Sequence, residues 1–283
     1  MAVPALRPDR LEARRPRRRF GAAPFPAGDE RLGVAWQAPY SDVGGAFPPA
    51  SPATAAAQKT TAPKTTARKQ RDGFVAYKLA IFDFDGTLAD SADWLKSVFN
   101  QVAIRYGFQQ ISDEDFAVLR GRDNRAIIRH LGVPAWKIPF IARHMRALAG
   151  RDASTIPLFA GSAELLRTLH GRGVIIAIVS SNTEENIRRI LGPDNACLVA
   201  HYECGASIFG KASKFRRVLR QAGVVPKEAI AIGDETRDIE AAMQADIAAG
   251  AVAWGYATPE LLKSRFPTHM FETMDDIVAT LLP

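Results

Sequence analysis

From Lys78 onward, short apolar runs alternate with amphipathic stretches of helical period, and this rhythm restricts the fold more than any other feature of the chain. The runs at 78–83, 174–180, 198–203, 229–233 and 248–254 are mostly apolar, as strands covered on both faces must be. Stretches near 162–171, 183–191, 213–222 and 236–245 carry the helical period between them. The alternation predicts an α/β fold, a Rossmann-like parallel sheet core with helices on both faces.

One interval departs from the rhythm. About 90 residues separate the first two runs, far more than a single crossover helix needs. Helical periodicity persists through it, as in Trp94-Leu95-Val98-Phe99-Val102 and Ile127-Ile128-Leu131. Helices near 91–106, 112–119, 123–131 and 134–148, broken at Gly107, Gly121 and Pro134, would make a compact bundle. The expected organisation is an α/β core built from 74–90 and 156–283, a small inserted α-helical cap over 91–155, and a disordered N-terminal extension over 1–73.

The formal net charge of +7 would ordinarily point to nucleic acid or a membrane surface. Its distribution argues otherwise. Residues 1–73 hold 13 Lys and Arg against 6 Asp and Glu, so the remaining 210 residues carry 24 of each and are neutral. A neutral body offers nucleic acid no basic groove, and any such contact is expected from the tail alone. The cluster Arg14-Arg15-Pro16-Arg17-Arg18-Arg19 reads as that contact, as an organelle-targeting element, or as part of a dispensable extension. Asp9, Glu12, Asp29 and Glu30 weigh against targeting, because such segments tend to lack acids. The only cysteines, Cys197 and Cys204, suggest no disulfide framework, and a reducing, cytoplasmic setting is expected. No apolar run approaches the length of about 18 residues that spans a bilayer, so no membrane partner is expected.

In open α/β sheets ligands lie beyond the carboxyl ends of the strands, so the residues that follow each apolar run carry the chemistry. Asp83-Phe84-Asp85-Gly86-Thr87 follows the first run, Ser180-Ser181-Asn182 the second, and Gly233-Asp234-Glu235-Thr236-Arg237-Asp238 the fourth. Lys211 and Lys214 lie just before the helix that precedes the fourth strand. Carboxylates gathered in this number repel one another unless a cation neutralises them, and hard oxygen ligands suit Mg²⁺. A lysine and a serine alongside would supply donors for phosphate oxygens. The combination describes phosphoryl transfer to an aspartate. Taken singly, Ser180 also reads as a helix cap, and Asp234 with Asp238 as an acidic first helical turn.

The motifs together give the chain from about Lys78 to Pro283 a resemblance to the haloacid dehalogenase superfamily of phosphohydrolases. Asp83-Phe84-Asp85-Gly86-Thr87-Leu88-Ala89-Asp90-Ser91 matches the first family motif without departure. Ser180 matches the second, with Ser181 as an alternative; Lys211 matches the third, with Lys214 as the fallback; and Gly233–Asp238 matches the fourth. The inserted helices and the runs Asp238-Ile239-Glu240-Ala241-Ala242 and Val252-Ala253-Trp254-Gly255 look like the phosphoglycolate phosphatase-like branch.

The resemblance implies an enzyme, a phosphatase that depends on Mg²⁺ and hydrolyses a small phosphorylated metabolite. Asp83 would be the nucleophile and Asp85 the general acid, then base. The metal would be held by Asp83, the main-chain carbonyl of Asp85 and Asp234, with Glu235 and Asp238 behind. Thr87, Ser180 and Lys211 would serve the phosphate, and Thr87 would also help to position Asp85. A carboxylate at Asp85 separates the chain from the dehalogenases of the superfamily. Substrate choice would fall to the segment Leu119-Arg120-Gly121-Arg122-Asp123-Asn124-Arg125, where Arg120, Arg122 and Arg125 could bind a carboxylate or second phosphate. Phosphoglycolate is one candidate, although Lys211-Ala212-Ser213-Lys214 departs from the Lys-Pro-x-Pro common in the branch.

Other readings remain open at this level. A phosphosugar mutase would use the same aspartyl-phosphate, and a phosphonate-cleaving enzyme would need a cap lysine such as Lys96 or Lys137. Gly205-Ala206-Ser207-Ile208-Phe209-Gly210-Lys211-Ala212 approaches the phosphate loop of nucleotide triphosphatases, but Ala212 stands where a metal-ligating hydroxyl belongs.

Overall fold

A computed structural model describes residues 77–205 and 210–282. The expected tail, 1–73, and the middle of the phosphate-loop-like segment lie outside the described residues. The described residues belong to one compact unit.

The first apolar run forms β1 (Leu79–Phe82), and four helices follow before the sheet resumes: α1 (Ala92–Tyr106), α2 (Asp113–Leu119), α3 (Asn124–His130) and α4 (Ile138–Arg151). Next come α5 (Ser162–Gly171), β2 (Ile175–Val179), α6 (Glu184–Leu191), α7 (Pro193–Ala196) and β3 (His201–Glu203). The chain closes with α8 (Lys211–Ala222), β4 (Ala229–Gly233), α9 (Thr236–Gln244), β5 (Ala248–Val252), α10 (Pro259–Lys263), β6 (His269–Phe271) and α11 (Met274–Leu281). The six strands form one sheet in the order β3-β2-β1-β4-β5-β6, with every pair parallel. The α/β sheet with helices on both faces is thus the fold that the sequence rhythm calls for.

Alternation along the strands explains the layers. Ala80, Phe82, Ile176, Ile178, Ile230 and Ile232 point to one face, where Leu165, Leu166 and Leu169 of α5 and Ile277 and Leu281 of α11 bury them. Leu79, Ile81, Ala177, Val179, Ala229 and Ala231 point to the other, against Phe215 and Val218 of α8 and Ile239 and Ala242 of α9. Both faces being covered, the central strands contain no polar side chain.

Three details differ from the sequence reading. A sixth strand, β6, extends the edge; at three residues it is too short to generate a periodic signal. The run at 248–254 leaves the sheet after Val252, so that Trp254 reaches across and donates its indole N–H to the Thr87 carbonyl at 3.1 Å. Helix α8 starts at Lys211, which puts that lysine in the first helical turn and not ahead of the helix.

The four helices after β1 build a smaller core of their own. Val98, Val102 and Leu148 are buried between α1 and α4, with Trp94, Tyr106, Phe108, Ile141 and Met145 packed against them. Gly107 ends α1 with φ +65°, a conformation that a side chain disfavours, and Ser112 with Asp115 forms a capping box that starts α2. The fourth helix begins at Ile138 because Pro134 first directs a short 3₁₀ turn over Ala135–Lys137.

Because β1 pairs with β2 on one side and β4 on the other, chain order reverses at its carboxyl end. That crevice is where such sheets bind ligands.

Candidate active site

Asp83 is the first residue past β1, and its N–H still donates to the Ile232 carbonyl at 2.8 Å, so the sheet itself fixes its position. The side chain is buried. Its Oδ1 accepts the Phe84 N–H at 2.8 Å, and its Oδ2 lies 2.8 Å from Lys211 Nζ. Lys211 bridges onward to Asp238 Oδ1 at 2.5 Å. Burial would raise the Asp83 carboxyl, but the Lys211 and Arg237 cations with the hydrogen bonds of Lys211 and Phe84 outweigh it and hold the group below its ordinary value.

A tight turn then folds the chain back, with the Gly86 N–H donating to the Ala89 carbonyl at 2.9 Å. Gly86 has φ +80°, and a Cβ there would collide with the Asp234 carboxylate and the Tyr256 ring. The turn delivers the Thr87 hydroxyl to Asp234 Oδ1 at 2.9 Å, while the Tyr256 N–H donates to Asp234 Oδ2 at 2.7 Å. Asp238 Oδ2 accepts the Glu235 N–H at 3.1 Å in a capping box that opens α9. One oxygen each of Asp83, Asp234 and Asp238 lies within 4.8 Å of the others, and all three residues are buried. Burial first, and then the Glu235, Asp83 and Asp238 charges, drive the Asp234 carboxyl well above its ordinary value.

Asp85, two residues after Asp83, lines the same crevice. Its Oδ2 accepts from Asn182 Nδ2 at 3.1 Å, and its Oδ1 is buried without a partner. Burial, followed by the Asp83 charge, raises this carboxyl to about 6. Asn182 also donates its N–H to Ser180 Oγ at 3.1 Å and is itself held by the Thr183 N–H and Asn186 Nδ2, each at 2.9 Å. The strand end after β2 is therefore locked to the turn after β1.

A cavity of about 440 Å³ opens over these groups. Asp83, Asp85, Ser180, Ser181, Asn182 and Arg237 line its sheet side, and α1 and α4 close the opposite side. The family model for haloacid dehalogenase-like hydrolases matches residues 80–252, the span from β1 to the end of β5.

The chain belongs to that family.

Among its relatives, the phosphoglycolate phosphatase of Synechococcus elongatus is 33% identical over 199 residues, covering 70% of this chain and 94% of its own. The tyrosine-protein kinase PtkA of Mycobacterium tuberculosis is 29% identical over 192 residues, covering 65% of each chain. Solved structures share the fold. A haloacid dehalogenase-like hydrolase of Streptococcus pneumoniae superposes with a TM-score of 0.61 at 18% identity, covering 72% of this chain and 98% of its own. CbbY of Rhodobacter sphaeroides, solved in complex with phosphate, gives 0.58 at 20% identity, covering 72% and 99%.

The structure sorts the residues that this hydrolase sequence brought forward. Asp83, Asp85 and Ser180 line the cavity, and Lys211, Asp234 and Asp238 gather around Asp83, with Glu235 beside Asp238. Thr87 turns its hydroxyl to Asp234 and lines no part of the cavity. Lys214 donates to the carbonyls of Glu203 at 2.8 Å and Ser180 at 3.4 Å, which leaves Lys211 as the lysine on Asp83. The three arginines do not line the cavity either. Arg120 donates to the Tyr256 carbonyl at 3.0 Å and the Gly255 carbonyl at 2.9 Å, clamping the helical insertion to the loop that holds Asp234. Arg122 and Arg125 are exposed, and Arg125 borders a separate polar cavity beside α9.

Two cavity cations escaped the sequence reading. Arg237 pairs with Glu235 and lies 4.0 Å from Asp83 Oδ2; in sequence it is one cation inside an otherwise acidic motif. Arg146 projects from α4 with its guanidinium 3.4 Å from the Ser181 carbonyl, and in sequence it is simply a polar residue of an amphipathic helix. Both cysteines are free thiols, and among the described residues no helix is long and apolar enough to cross a membrane.

Proposed function

We propose that this hydrolase is a Mg²⁺-dependent phosphatase that cleaves a small phosphate monoester through an aspartyl-phosphate on Asp83. The observation that carries this reading is the pair of carboxylates at the switch point: Asp83 charged and held by Lys211, Asp85 beside it with Oδ1 free of protein partners. The residues present suit the metal. Asp83 and Asp234 offer hard oxygens, to which the Asp85 carbonyl would be added, and an anion cluster that drives the Asp234 carboxyl upward is one that a divalent cation offsets. Asp238, bridged to Lys211 and accepting the Glu235 N–H, would stand behind these ligands together with Glu235. When bound, Mg²⁺ would screen the repulsion between the nucleophile and the anionic ester.

Asp83 would form a bond to phosphorus as the bond to the ester oxygen breaks. Asp85 would give its proton to the departing alkoxide, then take one from the water that opens the aspartyl-phosphate. A carboxyl raised to about 6 is suited to both transfers near neutral pH. Asn182 keeps Asp85 Oδ2 occupied and so leaves Oδ1 for the proton. Lys211 and Ser180 would hold the transferring oxygens. Residues 91–155 would act as the cap over a core of 74–90 and 156–283, excluding water as they close. Phosphoglycolate enters as a candidate through the name of the Synechococcus relative.

The test is phosphate release by the full chain from a panel of small metabolite esters, with Mg²⁺ and after chelation. Release that falls at least about 100-fold without the metal is expected. No release from any ester, with cation binding intact, would overturn the reading. Complete recovery of the phosphoryl group as inorganic phosphate, with none passed to a sugar acceptor, separates hydrolysis from the mutase reaction.

Arg120 gives a second, independent check. Its clamp on Gly255 and Tyr256 backs the N–H that holds Asp234, so Arg120→Ala is expected to weaken Mg²⁺ binding about tenfold, read by titration calorimetry.

A further inference from the structure

The cavity has two chemically distinct sides. Charged and polar groups crowd its sheet side, whereas the helical side presents Trp94, Leu95, Ile138, Pro139, Ala142 and Met145. Positions 138, 142, 145 and 149 recur at the helical repeat and so form one stripe along α4, and Trp94 with Leu95 adds the first turn of α1. Among the described residues Arg146 is the only charged one on this side, and its link to the Ser181 carbonyl draws it to the sheet end, beside the proposed phosphoryl position. A carboxylate bound by Arg146 would therefore leave the apolar stripe uncovered.

We propose that the alcohol portion of the natural ester is bulky and apolar, a branched, cyclic or aromatic group that lies along the α1–α4 stripe, and not the short acid of phosphoglycolate. The inference rests on the phosphatase reading and specifies its substrate class. A cavity of about 440 Å³ is far larger than a two-carbon ester, which would occupy the polar end and leave water against the stripe. Covering that stripe with hydrocarbon gains transfer free energy in proportion to the area removed from water, while a second charged group there would lose hydration with no partner to replace it. Met145, flexible and polarisable, can adapt to the shape of such a group.

The experiment compares kcat/KM of the full chain with Mg²⁺ for cyclohexylmethyl phosphate, benzyl phosphate, ethyl phosphate and phosphoglycolate. All four release alkoxides, so a phenolate's leaving ability cannot imitate the preference. The cyclic esters are expected to exceed ethyl phosphate and phosphoglycolate by at least about 30-fold. Ala142→Phe, which fills the stripe, and Leu95→Asn, which makes it polar, are each expected to shrink that ratio about tenfold, with folding followed by circular dichroism. Phosphoglycolate turned over as well as the cyclic esters would overturn the inference and leave the phosphatase intact. Hydrolysis of none of the four, nor of any metabolite ester, would overturn the phosphatase reading itself. A preference that both folded variants keep in full would overturn the assignment to this stripe.

Discussion

Asp83→Asn is expected to lower kcat for phosphate release by at least about 10⁴-fold, to the limit of detection. The substitution nearly preserves shape, and an amide oxygen can still accept the Phe84 N–H. What disappears is the anion. A neutral amide has no lone pair of carboxylate strength to offer phosphorus, and Lys211 loses one of its two ion-pair partners. Asp238 remains as the other, so the fold should survive with a modest drop in thermal midpoint. The measurements are a single-turnover phosphate assay and a melting curve. Turnover within tenfold of the wild type, in a folded variant, would remove Asp83 from the mechanism.

Lys211→Met carries the second-largest effect, and it acts on stability as well as catalysis. Lys211 Nζ is enclosed between Asp83 and Asp238, both buried, and these neighbours keep it charged against the opposing effect of burial. Methionine fills similar volume but takes the bridging cation from two carboxylates, with Arg237 left 4.0 Å from Asp83 Oδ2. Breaking a buried pair from one side costs about 3–5 kcal/mol, reduced to the extent that a carboxylate takes up a proton instead. On the proposed mechanism the phosphoryl oxygens would lose an ammonium donor, for which about 10²–10³-fold in kcat is expected. Chemical denaturation without metal, beside steady-state kinetics with Mg²⁺, separates the two effects. A variant as stable as the wild type would show that the bridge contributes no net stability.

The sheet and its acidic tips were legible in the sequence for one physical reason. Strands covered on both faces must be continuously apolar, so an acid such as Asp83 or Asp234 marks where the strand ends and the crevice begins. Lys211 and Lys214 were harder to separate. Three positions apart, they differ only in the helical phase that sends one to Asp83 and the other to main-chain carbonyls, and that phase depends on where α8 starts. For the arginines of the helical insertion, proximity in sequence is not proximity in space. Arg120 spends its donors on the backbone of Gly255 and Tyr256, while the arginine that does reach the cavity, Arg146, lies on a helix whose inward face only the folded insertion defines. Tyr256 was invisible for the same reason, since its contribution to Asp234 is a main-chain N–H that any residue type could supply.

Strand β1 also dictates when the site can come into being. Leu79 aligns with Ile175 and with Ala229, partners 96 and 150 positions further along the chain. Synthesised first among the described strands, β1 has no sheet neighbour to pair with until β2 has emerged. Contacts of such high sequence separation slow folding, and they keep an uncovered Leu-Ala-Ile-Phe edge exposed in the interim. Asp83 at its tip therefore meets Lys211, Asp234 and Asp238 only once distant parts of the chain have folded together, so that chains truncated before β4 would hold Asp83 without its neighbours.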